Sequence, residues 1–336
     1  MKAIGYRKNL PITDVQSLED VELPTPTPKP RDLLVRVSAI SVNPVDTKIR
    51  KARIPADGQV EVLGWDAVGT VEAVGNEVTL FNVGDRVYYA GAINRPGANS
   101  ELHLVDERIV ALAPKSLDDA AAAALPLTTI TAYELLFDRL CIAKGGGKGK
   151  TMLVVGGAGG VGSILIQLAR EMTQVQIIAT ASRPETRQWC LDMGAHAVID
   201  HRQPLSAGLM AAGVGQVDYV AALTQTDKHY DQIIESLKPQ GALAVIDDMD
   251  VLDAMKLKSK SISLHWELMF TRSLYETPDM NEQGKLLDEV AKLVDAGRIR
   301  STINSHLGPI NAENLRLAHA LIESGKTQGK VVLAGF

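Results

Sequence analysis

A glycine-rich turn between two apolar runs is the feature that most constrains how this chain folds. The stretch TMLVVGGAGGVGSILIQLAR leads from a strand-like run into a helix-like run, and three of its glycines have the spacing G-x-G-x-x-G. Glycines allow a tight turn without a Cβ facing a bound pyrophosphate, and the amide groups and dipole of the following helix attract its charge. We therefore predict a dinucleotide-binding turn; a glycine-rich turn without a ligand is the alternative. Its residues are Gly156, Gly157, Ala158, Gly159, Gly160, Val161 and Gly162.

Apolar runs alternate with helical segments from Thr151 onward. The runs are TMLVVGG, VQIIATA, HAVID, VDYVAAL and GALAVID, and SISLHWELMF would supply a sixth strand. Helices are predicted between them, over residues 160–171, 184–193, 205–212 and 227–237, with an amphipathic helix around 281–296. Continuous hydrophobicity is typical of strands buried on both faces of a parallel sheet. The pattern predicts an α/β fold with a doubly wound, Rossmann-type sheet.

The first third of the chain has a different texture. Short apolar runs such as DLLVRVSAI and GTVEAV, broken by Pro, Gly and Asn, indicate a β-rich domain. The proline-rich stretch 24–30 is predicted to be an exposed connector. A helical pattern then begins, with an interruption at Pro126, and the C-terminal run GKTQGKVVLAGF ends in a strand expected to pair in the first domain. We expect one domain from 1–123 with 298–336, and another from 124–297.

Charge and composition exclude several classes of protein. The 336 residues include 35 Lys plus Arg and 40 Asp plus Glu, a net charge of −5, which argues against nucleic acid or an anionic membrane as partner. There is no uninterrupted apolar run of transmembrane length, and the N-terminal MKAIGYRKNLPITD lacks the apolar core of a signal peptide. Two cysteines are too few for a disulfide framework or a four-cysteine zinc site. We expect a soluble cytoplasmic protein.

The end of the second predicted strand bears on which dinucleotide binds. Sites that prefer NAD have an Asp or Glu about 20 residues beyond the glycines, where it binds the ribose hydroxyls. Here the strand ends in ATASR, without a carboxylate, and Ser182 and Arg183 offer a hydroxyl and a cation to a 2′-phosphate. NADP(H) is therefore the predicted cofactor. The alternative is that Arg183 is a solvated residue before Pro184.

Several segments, taken together and in order, resemble a known family. They are SVNPVDTKIR, LGWDAVGTVEAVG, VGDRVYYAG, LPLTTITAYELL and GKVVL. They resemble the zinc-free quinone oxidoreductase branch of the medium-chain dehydrogenase/reductase superfamily, close to proteins labelled zinc-type alcohol dehydrogenase-like. The resemblance spans nearly the whole chain. It implies a Rossmann domain with a β-rich GroES-like substrate domain, a homodimer, and NADPH-dependent reduction of a quinone or α,β-unsaturated carbonyl compound.

The same resemblance bears on zinc. The zinc-dependent members carry a Cys in the segment that corresponds to residues 41–43, and a His-Glu pair where this chain has Trp65 and Asp66. His103 is the only histidine in the first domain, and one histidine cannot assemble a zinc site. We expect His103 to be a structural or surface residue. The protein is accordingly predicted to bind no zinc.

Candidate catalytic residues come from the resemblance. Asn43 and Asp46 match the segment that lines the family's nicotinamide pocket. Asn43 is expected to donate its amide to a substrate oxygen, with a turn role before Pro44 as the alternative, and Asp46 to orient loops. His265, Trp266 and Phe270 are candidates for the substrate pocket or a dimer contact, with an apolar core strand as the favoured alternative.

Further cofactor contacts are expected outside the glycine turn. Thr128 matches a threonine beside the nicotinamide ribose or phosphate, or else caps a helix. His201 stands where relatives have Tyr or His near the adenosine phosphate, or is a loop residue, and Lys330 is similar to the family's tail lysine near the cofactor, or is a solvated charge. Leu223 and Ile246 end the fourth and fifth strands, where ligands bind in such sheets.

The function has two alternatives. Reduction of a quinone or enone needs little assistance because hydride addition gives a delocalised anion, whereas alcohol oxidation benefits from a metal. A zinc-free alcohol or aldehyde reductase is a second enzyme class that the sequence allows. The third possibility is an NADP(H)-binding protein without turnover.

Overall fold

The computed structural model describes residues 1–336 and divides into two compact units. The first unit comprises Met1–Ile130 with Phe270–Phe336, and the second comprises Thr131–Met269. These units are defined by contacts within the folded chain. The domain limits predicted from the sequence, at 123/124 and 297/298, are defined instead by changes in the hydrophobic pattern and composition along the chain. Those limits stay a prediction.

Strands and helices are numbered in chain order. The strands are β1 (Lys2–Tyr6), β2 (Glu19–Glu22), β3 (Asp32–Val42), β4 (Glu61–Val62), β5 (Ala67–Val74), β6 (Arg86–Tyr89), β7 (Leu102–Asp106), β8 (Val110–Leu112), β9 (Thr151–Val155), β10 (Gln176–Thr180), β11 (Ala197–Ile199), β12 (Val217–Ala222), β13 (Leu237–Val245), β14 (Ser263–Trp266), β15 (Ile303–His306) and β16 (Lys330–Ala334). The α-helices are α1 (Pro44–Ala52), α2 (Asp119–Ala123), α3 (Pro126–Glu134), α4 (Gly160–Met172), α5 (Pro184–Asp192), α6 (Leu205–Ala211), α7 (Thr226–Ser236), α8 (Met255–Lys258), α9 (Thr271–Leu274), α10 (Glu282–Asp295) and α11 (Ala312–Glu323). Short 3₁₀ turns cover Val15–Ser17 and Glu107–Ile109, and a π-helical turn covers Leu135–Arg139.

A six-stranded parallel sheet forms the centre of the second unit, in the order β11-β10-β9-β12-β13-β14. Its strands are apolar on both faces, so that Leu153, Val220 and Leu243 are completely buried. The chain adds strands outward from β9 to β11 and then returns to β12 on the other side of β9. The prediction of a doubly wound Rossmann-type sheet is confirmed, although only Ser263–Trp266 of SISLHWELMF is strand.

The first unit contains a three-stranded sheet, β2-β1-β4, and a seven-stranded sheet around β3. One edge of β3 pairs with β5; the other edge pairs with β7 in its first half and with β16 in its second. The prediction that the C-terminal strand pairs in this β-rich part is therefore confirmed. The register of β16, with Val331 opposite Val42, brings Lys330 beside Asn43.

The predicted alanine-rich helix forms as two helices, α2 and α3, with Pro126 as the first residue of α3. Together with the π-helical turn this segment, Asp119–Arg139, is long and apolar enough to cross a membrane by length and composition. However, 78% of its most apolar window is buried inside the protein, as in the core helix of a globular domain.

Candidate active-site residues

In the first unit, Asn43 and Lys330 meet around the carboxylate of Asp66. Lys330 Nζ lies 2.9 Å from Asp66 Oδ2, and Asn43 Nδ2 donates to the same oxygen at 2.9 Å. The backbone N–H of Leu127 donates to Asp66 Oδ1 at 2.8 Å. Three strand ends thus converge, since Asn43 follows β3, Asp66 precedes β5, and Lys330 begins β16. We call Asn43, Asp46, Asp66 and Lys330 the Asp66 cluster.

Both the nitrogen and the oxygen of the Asn43 side-chain amide form hydrogen bonds within the cluster. Its Nδ2 donates to Asp66, and its Oδ1 accepts a hydrogen bond from Lys330 Nζ. Its backbone N–H donates to Asp46 Oδ2 at 2.6 Å, which fixes the turn that starts α1. Asn43, Asp46 and Asp66 are each at most 1% exposed and Lys330 is 3% exposed, so water is excluded from these contacts.

Burial governs the acidity of the two carboxyl groups. It raises the pKa of Asp66, against the opposing effects of the Lys330 charge and the hydrogen bonds from Asn43 and Leu127. It also raises the pKa of Asp46 to about 7, although the Asn43 N–H and the Lys330 charge oppose this and the Asp66 charge adds to it. One cation therefore faces two buried carboxyl groups, of which Asp46 changes protonation near neutral pH.

Trp65 and His103 have structural partners. Trp65 Nε1 donates to the Ala92 carbonyl oxygen at 3.1 Å, and its ring packs edge-on against Phe270, with centroids 6.1 Å apart. His103 accepts from the Tyr89 hydroxyl at Nδ1 and donates from Nε2 to the Pro96 carbonyl oxygen, both at 3.0 Å. Burial lowers the pKa of His103 to about 4, so the ring is neutral at pH 7. The expectation of a structural His103 is confirmed.

The side chains of the Asp66 cluster do not fit a zinc ion. Zinc sites in proteins use thiolate, imidazole and carboxylate donors. An amide stands at Asn43 and an indole at Trp65. Of the two carboxyl groups, Asp46 accepts the Asn43 backbone N–H, and Asp66 is occupied by an ammonium group. Nowhere in the chain do three or more His, Cys, Asp or Glu side chains form a group suited to a metal ion.

Thr128 is buried, and its Oγ1 donates to the Leu125 carbonyl oxygen at 3.2 Å. The contact from α3 to the Asp66 cluster comes from Leu127, one residue earlier. The sequence reading missed both Leu127 and the central place of Asp66. The sequence did carry a signal for Asp66, because Asp66 belongs to the Trp65-Asp66 pair that stands in place of the family's His-Glu pair. It carried no signal for Leu127, which contributes only its backbone N–H.

In the second unit, the predicted glycine turn connects β9 to α4. Gly159 is the N-cap residue of α4 and has no side chain to cap the helix, so the first-turn amide groups can face a ligand. A Cβ at Gly157 would lie 2.7 Å from Ala179 Cβ, and one at Gly162 would lie 2.5 Å from the Gly156 carbonyl oxygen. Gly157 and Gly162 therefore allow close packing. At Gly159, by contrast, the space that a Cβ would enter is open, and a bound ligand would fill it. The turn fits a pyrophosphate.

Ser182 and Arg183 follow β10, beside a second arginine that the sequence reading missed. Arg202 Nη2 donates to the Ser182 carbonyl oxygen at 3.0 Å and pairs with Asp200 at 2.6 Å. Arg183 Nε lies 3.1 Å from Glu185 Oε1. The sequence signal for Arg202 is its place directly after the third strand of the sheet, beside His201.

The remaining cofactor candidates also lie at carboxyl ends of strands. The His201 ring contacts that of His229 edge-on, with centroids 6.0 Å apart. Leu223 N donates to the Val155 carbonyl oxygen and Ile246 N to the Ala222 carbonyl oxygen, which places both just beyond the paired parts of β12 and β13. The second unit therefore brings together the turn, Ser182, Arg183, His201, Leu223 and Ile246 at one edge of its sheet. Asn43, Asp46, Thr128 and Lys330 belong to the first unit.

Comparison with known proteins identifies the family. The profile of the alcohol dehydrogenase GroES-like domain matches residues 29–115, and that of the zinc-binding dehydrogenases matches 193–333. A zinc-type alcohol dehydrogenase-like protein of Staphylococcus aureus is 42% identical over 99% of both chains. A Pseudomonas aeruginosa quinone oxidoreductase is 32% identical over 91% of this chain and 92% of its own. A Solanum lycopersicum 2-methylene-furan-3-one reductase is 28% identical over 99% of this chain and 79% of its own.

Solved structures give the same answer. A Rhizobium etli protein assigned to the zinc-dependent alcohol dehydrogenases has a TM-score of 0.97 at 56% identity, covering 100% of this chain and 98% of its own. Escherichia coli quinone oxidoreductase complexed with NADPH has a TM-score of 0.84 at 25% identity, with 99% and 100% covered. A mycobacterial protein complexed with NADPH has a TM-score of 0.84 at 30% identity, with 99% of each covered. The chain belongs to the medium-chain dehydrogenase/reductase superfamily of oxidoreductases, among the zinc-type alcohol dehydrogenase-like proteins.

Proposed function

We propose that this protein is a zinc-independent reductase that transfers hydride from NADPH to a quinone or an α,β-unsaturated carbonyl compound. The proposal rests on the side chains around Asp66, which lack the ligands that a zinc ion needs. Asn43 and Trp65 stand where the zinc-dependent members have Cys and His, and Asp66 binds the Lys330 ammonium group. Without a Lewis acid, acceptors that delocalise the incoming charge are the most suitable substrates. The relatives named as a quinone oxidoreductase and as a furanone reductase support this class.

The second unit supplies the residues for NADP(H). The amide groups at the start of α4 would bind the pyrophosphate, and Ser182 and Arg183 would bind the 2′-phosphate. His201 would contact the adenosine portion, and Leu223 and Ile246 the nicotinamide half. The resemblance implies that Thr128 would contact the nicotinamide ribose. Two relatives whose structures hold NADPH support this choice of cofactor.

The reaction consumes one proton for each hydride. When bound, NADPH supplies the hydride from its nicotinamide ring and becomes NADP⁺, and one proton from solvent completes the reduction of the acceptor. Asn43 and Asp46 hold the turn at the start of α1 in place through the hydrogen bond between them. The rings of Trp65 and Phe270 pack edge-on against each other and are both buried, so water is excluded from this contact.

A panel of acceptors tests the function. Purified protein is mixed with NADPH or NADH and with quinones, enones and aldehydes, and oxidation of the cofactor is followed by absorbance. We expect turnover with NADPH and quinones or enones. Turnover confined to aldehydes would favour the alcohol or aldehyde reductase, and cofactor binding without turnover would favour the non-catalytic alternative.

Assembly and location belong to the same proposal. We expect a cytoplasmic homodimer that binds neither nucleic acid nor membrane. Trp266 and Leu268 support a dimer contact in the predicted SISLHWELMF stretch, because both side chains are more than half exposed.

A further inference from the structure

We propose that Arg202, held in place by Asp200, binds the 2′-phosphate of NADP(H) and sets the preference for this cofactor over NAD(H). The inference rests on the proposed function, because it concerns the cofactor of the same reaction. It adds a specificity-determining residue to Ser182 and Arg183, the contacts expected from the sequence. All of these residues belong to the second unit.

Backbone contacts place Arg202 close to the start of the dinucleotide-binding turn. The Gly156 N–H donates to Thr180 Oγ1 at 3.0 Å, which joins the turn to the end of β10. Two residues further along, the Ser182 carbonyl oxygen accepts a hydrogen bond from Arg202 Nη2 at 3.0 Å. In dinucleotide-binding sheets the adenosine ribose lies just beyond this turn, at the end of the second strand. Arg202 is therefore well placed for a 2′-phosphate.

The Arg202 guanidinium group is fixed along one edge and open along the other. Its Nε lies 3.0 Å from Asp200 Oδ1, and its Nη2 lies 2.6 Å from Asp200 Oδ2. With the bond to Ser182, these contacts use the protons of Nε and Nη2. Nη1 forms no hydrogen bond with a protein atom, and the Arg202 side chain is 64% exposed. Both N–H groups of Nη1 are thus available to phosphate oxygens.

The fixed position of Arg202 favours binding. The Arg202 backbone N–H donates to Asp200 Oδ1 at 2.9 Å, so the same carboxylate holds both the backbone and the side chain after β11. An arginine that is already held in this way loses little conformational entropy when it binds a ligand. Charge-assisted hydrogen bonds from a guanidinium group to phosphate are among the strongest polar contacts in proteins.

Asp200 would have the opposite effect if Arg202 were absent. The hydrogen bonds from Arg202 lower the pKa of Asp200 to about 2, so this carboxyl group is ionised at neutral pH. A carboxylate beside the adenosine ribose favours NAD(H), because it accepts from the ribose hydroxyls and repels a 2′-phosphate. Arg202 covers the Asp200 carboxylate and presents N–H donors instead. Loss of Arg202 should therefore uncover a group that disfavours NADP(H).

Binding measurements on four proteins test the inference without requiring turnover. The proteins are the wild type, Arg202→Ala, Arg202→Ala combined with Asp200→Asn, and Lys150→Ala as the matched control. Lys150 pairs with Asp218 at 2.8 Å, but it lies directly before β9, at the amino ends of the strands. Affinities for NADPH and NADH are measured by fluorescence, and that for adenosine 2′,5′-bisphosphate by calorimetry. Melting curves show whether each variant folds.

The expected result is a selective loss. Arg202→Ala should bind NADPH and adenosine 2′,5′-bisphosphate about tenfold or more weakly, with NADH affinity within about threefold of the wild type. The double variant should regain about threefold or more of the lost NADPH affinity, because it also removes the uncovered carboxylate. Lys150→Ala should keep all three affinities.

Equal losses of NADPH and NADH affinity in Arg202→Ala would overturn the inference, because a purely structural role affects both cofactors alike. Unchanged NADPH affinity in the folded variant would overturn it as well. If Arg202→Ala does not fold, Arg202→Gln, which can still donate to Asp200, serves for the same comparison. A wild type that does not prefer NADPH overturns the NADP(H) assignment in the proposed function. A wild type that prefers NADPH, with the same preference in Arg202→Ala, overturns the role of Arg202 alone.

Discussion

The nearest protein atom to a Cβ added at Gly159 is the carbonyl oxygen of Gly156, 3.5 Å away, which is an ordinary contact. Gly159 also has a backbone conformation open to other residues, with φ −73° and ψ 177°. Gly159→Val should therefore fold, and its side chain should fill the space expected for the pyrophosphate. We expect NADPH binding to weaken by roughly 2 kcal/mol or more, about 30-fold.

The measurement for Gly159→Val is a fluorescence titration with NADPH together with a melting curve. Gly215→Val is the matched control, because Gly215 is exposed and a Cβ there meets nothing within 4 Å. Equal NADPH affinity in a folded Gly159→Val protein would show that the pyrophosphate does not bind at this turn.

Arg183 and Glu185, which form an ion pair, are predicted to shift the cofactor preference in opposite directions. Arg183→Ala should reduce NADPH affinity by about 10- to 150-fold with little effect on NADH, because it removes a charge-assisted contact to the 2′-phosphate. Glu185→Gln should raise NADPH affinity about two- to fivefold, since it releases Arg183 from an exposed ion pair. The measurement is the ratio of kcat/KM for NADPH and NADH. A wild-type ratio near or below one would refute the assignment of NADP(H).

Metal independence is the next prediction, and it follows from the absence of thiol and imidazole groups at Asn43 and Trp65. Dialysis against a chelator should leave both activity and melting temperature unchanged, and metal analysis should find far less than one zinc per chain. A stoichiometric zinc content that survives purification would contradict this expectation.

Local sequence signals were sufficient for the regular elements and the glycine turn, and insufficient for the contacts within the Asp66 cluster. The strands of the parallel sheet are continuous apolar runs, and the glycine turn has its own spacing, so both could be predicted. Lys330 and Asn43 lie 287 positions apart. Only the register of β16 on β3 brings them together, and no local pattern encodes that register. Arg202 is a similar case, since the pairing of β10 with β11 brings it beside Ser182.

The predicted dimer gives a simple measurement. Light scattering at micromolar concentration should give twice the mass of one chain, because Trp266 and Leu268 leave apolar surface exposed at the edge of the sheet. Trp266→Ser with Leu268→Ser should shift the mass toward one chain, whereas Leu317→Ser, another exposed apolar position, should not. A wild-type mass of a single chain would reject the dimer.

Asp46 predicts how stability depends on pH. Burial raises its pKa from 3.8 to about 7, so between these values the folded protein binds a proton that the unfolded chain has lost. A group of this kind contributes stability that is fully present below its unfolded pKa and is lost as pH rises through its folded pKa. The contribution of Asp46 to the free energy of unfolding should therefore fall between pH 4 and pH 7.

Asp46→Asn should remove this pH dependence, because an amide does not titrate yet still accepts the hydrogen bond from the Asn43 N–H. Urea unfolding of both proteins at several pH values measures the effect, with Asp192→Asn on the exposed face of α5 as the control. If the difference in unfolding free energy between wild type and Asp46→Asn is constant across this range, Asp46 does not titrate there.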